Sequence, residues 1–143
     1  MTAVRAQILA EIETRLKTIP GIAEVEIMPS GDPIDFPALH IFDDGHAIAS
    51  GEAGLTGYNI TPELVGYVSG SSGKEAHLEL TNLYAAAVAL LTPDPPIGGL
   101  AETIDEGDMR ILVAPLEKGG RLAFTLGLPI TFFTRRGDPA QAV

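Results

Sequence analysis

Few residues in this chain could do chemistry. It has three histidines, His40, His46 and His77, and no cysteine. No two of the histidines stand at a spacing such as i, i+4, which would put both on one side of a metal ion. Without a thiol, disulfides and thiolate metal sites are excluded. Asp43, Asp44 and His46 come closest to a cluster. They could hold a divalent cation only with a third carboxylate, which the sequence does not place. Asp43-Asp44-Gly45 reads more simply as a polar hairpin turn. Gly51 to Gly54 and Ser69 to Gly73 match neither glycine pattern that cradles phosphate, and no serine sits in a nucleophile elbow. Ser71 and Ser72 read as helix-capping residues, because Glu75 follows Ser72 by three, as in a capping box. The sequence therefore assigns no catalytic residue, no metal ligand and no cofactor.

The elements that could position a site are easier to read. Val4, Ile8, Ile12, Leu16 and Ile19 recur at three- and four-residue spacing, which predicts an amphipathic helix over residues 5–18. Pro20-Gly21 ends it. Glu24 to Ile27 and Pro37 to Phe42 alternate as strands. Residues 45–57 are rich in Gly and Ala and predict a flexible loop or the tip of a long hairpin. Tyr58, Ile60, Leu64 and Val68 are in phase along an extended segment, with Pro62 marking an edge or a bulge. A second helix follows, with Ala76, Leu80, Leu83, Tyr84, Ala87 and Leu91 on one face, and Thr92 to Pro96 stops it. Ile97 to Leu100 is a turn, Met109, Ile111 and Val113 mark a strand, and Pro115 to Gly120 is a hairpin connection.

The last strand is the clearest signal. Every even position from Leu122 to Phe132 is apolar, which predicts one long strand from Arg121 to Thr134 with a single buried face. Residues 137–143 read as a short flexible tail. The sum is one α+β domain over residues 1–143: a mostly antiparallel sheet of about four to five strands, with two helices packed on one face. The expected core is Ile8, Ile12, Leu16, Val25, Ile27, Leu39, Ile41, Leu80, Leu83, Ala87, Ile111, Phe124, Leu126 and Ile130.

Composition narrows the function classes. The chain has 143 residues and a net charge of -10, which argues against a nucleic-acid grip, since that needs a basic footprint. The N-terminus has no signal-peptide core, and the run from Leu83 to Leu91 is too short to span a bilayer. A soluble protein without a membrane partner is expected.

The order and spacing of these pieces resemble the tail terminator, or minor tail protein U-like, family of long-tailed phages and gene transfer agents. The resemblance covers nearly the whole chain. It rests on the first helix ending in Ile19-Pro-Gly-Ile-Ala-Glu-Val25, on Phe36-Pro-Ala-Leu-His-Ile41, on Ala89-Leu-Leu-Thr-Pro-Asp94 and Ile97-Gly-Gly-Leu100 with Ile104, and on the terminal Phe132-Phe-Thr134 with Gly137-Asp-Pro139. Pro129, inside the last strand, departs from the pattern.

The resemblance implies a virion protein of the tail neck, assembled in the host cytoplasm, with no catalysis. Such a subunit forms a homohexameric ring on the head-proximal end of the tail tube. It ends tube polymerisation and presents a joining surface to the head-completion or connector protein. A closed ring of this kind is a heterologous assembly. Arg121, Ala123, Thr125 and Gly127, on the outward phase of the last strand, are the candidate subunit interface, with Arg135 and Arg136 beside them. Asp43, Asp44, Glu52 and Asp105 are candidates for a channel lining that lets DNA pass without specific binding. Another neck or head–tail joining protein is the nearest alternative. A small acidic enzyme or ligand-binding module is the alternative from a different class, and it would need a cleft with convergent polar groups.

Overall fold

The computed structural model describes residues 2–49, 51–70, 72–113 and 121–143. Ser71 and the hairpin connection 115–120 lie outside them. Among the described residues there are two α-helices and ten strands, an α+β architecture. Helix α1 is Val4–Leu16 and buries Val4, Ile8, Leu9, Ile12 and Leu16, the stripe that the spacing predicts. Helix α2 is Gly73–Leu91 and buries Ala76, Leu80, Leu83, Ala87 and Leu91. Ser72 caps it as expected: its Oγ accepts from the Glu75 backbone N–H at 3.2 Å.

The strands are β1 (Glu24–Ile27), β2 (Ala38–Phe42), β3 (His46–Ala49), β4 (Leu55–Ile60), β5 (Glu63–Ser69), β6 (Thr103–Ile104), β7 (Met109–Val113), β8 (Arg121–Gly127), β9 (Ile130–Arg135) and β10 (Asp138–Ala142). They form two sheets rather than one. The first runs β1-β2-β5-β8-β7, with β1 and β2 parallel and the other pairs antiparallel. The second runs β10-β9-β4-β3, with β6 also on β9.

The two sheets share their strands. Each of four chain segments passes from one sheet into the other through a bend: β2 into β3 at Asp43–Gly45, β4 into β5 at Thr61–Pro62, β6 into β7 at 105–108, and β8 into β9 at Leu128–Pro129. The long strand expected over residues 121–134 is thus two strands in two sheets. Its alternation survives the bend: Phe124, Leu126, Leu128, Ile130 and Phe132 are all buried. Proline lacks the N–H that a regular ladder would use. At the corner its carbonyls carry the pairing instead: Pro62 accepts from Leu128 at 3.1 Å, and Pro129 accepts from Asp105 at 3.0 Å. Pro129 is therefore flanked by paired backbone on both sides. On the β2–β3 segment the buried phase of Leu39 and Ile41 gives way to the opposite one, in which His46 and Ile48 pair with Ile60 and Tyr58 but stay exposed. Gly45 absorbs the switch at φ 114°, which a residue with a Cβ rarely adopts.

One core spans both sheets and both helices. Its centre is Phe124, fully buried, whose ring lies over Gly66 on the neighbouring strand. Several expectations need correcting. Ile111 is 39% exposed, because β7 is the last strand of its sheet and nothing covers its outer side among the described residues. Ile27 is only half-buried. Of the two readings of residues 45–57, a flexible loop or part of a hairpin, the second agrees with the pairing of β3 to β4 from His46↔Ile60 to Ala49↔Gly57. Residues 138–142 are not a loose tail but strand β10, paired to β9 and touching α1.

Candidate functional site

Strand alternation gives the first sheet one face packed under the helices and one open face, which is open towards its margins but buried at Ala38, His40, Val65 and Ala123. The open face carries Glu24 and Glu26 from β1, Ala38 and His40 from β2, and Val65 and Tyr67 from β5. From β8 come Arg121, Ala123, Thr125 and Gly127, and from β7 Arg110 and Leu112. Four of the six candidate interface residues therefore do share a surface. The connection from β1 to β2 crosses part of it. Phe36 lies against Arg121, whose guanidinium carbon is 4.7 Å from the ring centre. Asp32, Pro33, Phe36, Tyr67, Arg121 and Ala123 line a half-open concavity of about 300 Å³ there.

β8 differs from expectation in one respect that matters. It lies between β5 and β7, so both of its edges are hydrogen-bonded within the chain. It can offer a neighbour its outward side chains but no free backbone, and Ala123 is itself buried. Arg135 and Arg136 are exposed at the far end of β9, in the other sheet.

The four candidate channel carboxylates do not gather. Asp44 and Asp105 both sit at the corner, but on the β2–β3 and β6–β7 segments, which are the outer two of the four in the strand order. Three strand spacings separate those segments, roughly 14 Å. Glu52 is at the opposite end of the β3–β4 hairpin. Asp43 is occupied: its Oδ2 is 3.2 Å from Arg5 Nε, and its Oδ1 accepts from the Gly45 backbone at 3.1 Å. The turn reading of Asp43-Asp44-Gly45 thus gains a partner from α1. Arg5 is half-buried: its Nε meets Asp43 as an ion pair without hydrogen-bond geometry, and its buried Nη2 has no acceptor among the described residues. Asp43 supplies its countercharge. Asp43→Lys should therefore cost roughly 1–3 kcal/mol of stability, through a half-buried cation left facing another. Asp44→Lys, on an exposed side chain, should cost almost nothing. Urea unfolding of the two variants checks the difference.

The one polar group of note that the sequence does not reveal is His40 with Glu24. His40 is 1% exposed, and its Nε2 lies 2.6 Å from Glu24 Oε2. Glu24 Oε1 also accepts from the Ile34 backbone N–H at 3.3 Å. These bonds, the one from His40 first, hold the Glu24 carboxyl below its ordinary value against the opposing effect of burial. His40 also meets Tyr67 edge to face at 5.2 Å. The pairing needs β1 and β2 to be parallel and in register, which no local signal announces.

Glu24, Glu26 and His40 offer ligand atoms within 4.8 Å of one another, and such a set could hold a divalent ion. The second ring nitrogen decides against it. His40 Nδ1 is buried and has no hydrogen-bond partner. A metal on Nε2 would move the proton to Nδ1, where nothing accepts it, whereas ligating histidines almost always donate that proton. With the proton on Nε2, Glu24 is satisfied and Nδ1 keeps only a lone pair. The group reads as a hydrogen-bonded pair with one ring nitrogen left unpartnered.

A scan against protein-family models gives no match, and a search of curated proteins gives none either. The chain's own surface must carry the functional argument.

Proposed function

We propose that the chain is a structural subunit that closes into a ring with copies of itself, as a tail-terminator-type cap on the head-proximal end of a tail tube. The supporting observation is strand β7. It ends the first sheet with Ile111, Leu112 and Val113 exposed, Val113 at 73%. An apolar strand on an open edge promotes sticking between chains, and proteins that remain single blunt such edges. Here the strand fits a surface meant to be covered. Among the described residues, the His40–Glu24 pair spends one ring nitrogen on the carboxylate and leaves Nδ1 without a partner, and the concavity beside it is lined by an arginine already stacked on Phe36. In this reading the tube protein and the head-completion protein are the partners, and DNA passes without a specific contact.

Size exclusion with light scattering, over a range of protein and magnesium concentrations, tests the reading. A net charge of -10 opposes assembly, so salt and divalent ions should favour it. The expected species is a ring of about 90 kDa, six times the 15.0 kDa subunit. A chain that stays a monomer in every condition, and on addition of tail tubes, would overturn it.

A further inference from the structure

Among the described residues the first sheet has two open edges, β1 and β7, and the register links them. Glu26 pairs with His40, His40 with Val65, Val65 with Thr125, and Thr125 with Arg110. These five residues form one row across the open face. The row begins with an exposed carboxylate on one edge and ends with an exposed guanidinium on the other. The next row, Glu24, Ala38, Tyr67, Ala123 and Leu112, runs beside it. β7 runs opposite to β1, because one parallel pairing and three antiparallel ones separate them.

We infer that β7 of one copy adds to β1 of the next, antiparallel, with Arg110 facing Glu26. This deepens the ring reading above and rests on it. Three observations choose a second copy as the occupant. The charges at the two ends of one row are opposite. The strand directions are those that let the sheet continue without turning a subunit over. The remaining pairs are also compatible, since keeping Arg110 opposite Glu26 sets Ile111 beside Val25 and Met109 beside Ile27 on the helix side. Cross-strand neighbours of this kind lie about 4.5–5.5 Å apart at Cβ and stabilise a pairing through apolar contact and opposite charge. The contact uses two different edges, so it is heterologous and can close a ring rather than stop at a dimer.

The chain has no cysteine, which makes the test clean. The double variant Arg110→Cys with Glu26→Cys, oxidised at assembling concentration, should give a ladder of covalently joined chains. Each single variant should give nothing beyond a dimer. In parallel, Arg110→Glu should raise the concentration needed for ring formation about tenfold, since it sets like charges together. Glu26→Arg should do the same, and the two together should restore wild-type assembly. A ring of about 90 kDa with no ladder and no rescue overturns the edge contact but leaves the ring reading standing. A ladder that grows into open filaments keeps the edge contact and overturns the ring. A monomer with neither ladder nor ring overturns both.

Discussion

Phe124→Ala should destabilise the fold by about 3–5 kcal/mol, the range for emptying a buried aromatic site. A domain of this kind has only about 5–15 kcal/mol in all, so the variant will sit near the edge of folding. The reason is position as well as size. Phe124 is fully buried on the central strand pair, under α2, with Tyr84 edge to face at 6.1 Å. Its ring occupies the space that a side chain at 66 would need. A Cβ at Gly66 would come within 2.7 Å of three ring atoms. Gly66→Ala alone should therefore cost roughly 1–3 kcal/mol by overpacking. In the Phe124→Ala background the same change should be nearly neutral or favourable, because the ring is gone. Urea denaturation of the four proteins completes the cycle. Additive costs would show that the ring and the glycine are not coupled.

The second large effect is expected at Glu24. Its folded pKa lies below the ordinary glutamate value, chiefly because of the hydrogen bond from His40. A depressed carboxylate pKa means that the pair's contribution is fully present above the unfolded pKa, about 4.3 for a glutamate. It is lost as pH falls below that value and through the folded one. Wild-type melting temperature should therefore drop on acidification below about pH 4.5, and Glu24→Gln should flatten that part of the curve. Glu24→Ala should do more. At neutral pH it leaves the His40 N–H buried without an acceptor, at a cost of about 1–3 kcal/mol. Melting curves from about pH 7 down to about pH 3 separate the variants. An unchanged acid limb in Glu24→Gln would show that the carboxylate contributes nothing specific.

The helices were legible because their signals are local. Ser72 and Glu75 mark a start, Pro20-Gly21 a stop, and the apolar spacing gives the buried face. β1, β2 and β7 were legible from alternation. The bend was not, because Leu128–Pro129 keeps the phase: a strand that turns into a second sheet without losing a residue looks like a longer strand. Ile111 reads as core and lies at the surface, because alternation tells which face a residue takes and not whether the strand is central or last. β10 was missed because Gly137-Asp-Pro139 carries turn residues, and its pairing depends on β9 and α1 rather than on its own composition. The interface candidates do share a face, yet the free edges of that sheet belong to β1 and β7. The His40–Glu24 pair joins residues sixteen positions apart, so only the parallel register reveals it.

The four bent segments mean that the two sheets are not separable parts. Each segment is covalently continuous through the corner, and backbone hydrogen bonds join neighbouring segments there: the Gly107 N–H donates to the Gly127 carbonyl, the Gly127 N–H to the Asp108 carbonyl, and the Leu128 N–H to the Pro62 carbonyl. Neither sheet can lose its strands without pulling on the other's. In hydrogen-exchange terms the molecule should open as a single cooperative unit, with the corner amides exchanging as slowly as those of the central strands. Such a particle has no hinge where two sheets might be thought to meet, and a load applied at one end reaches the other through unbroken backbone.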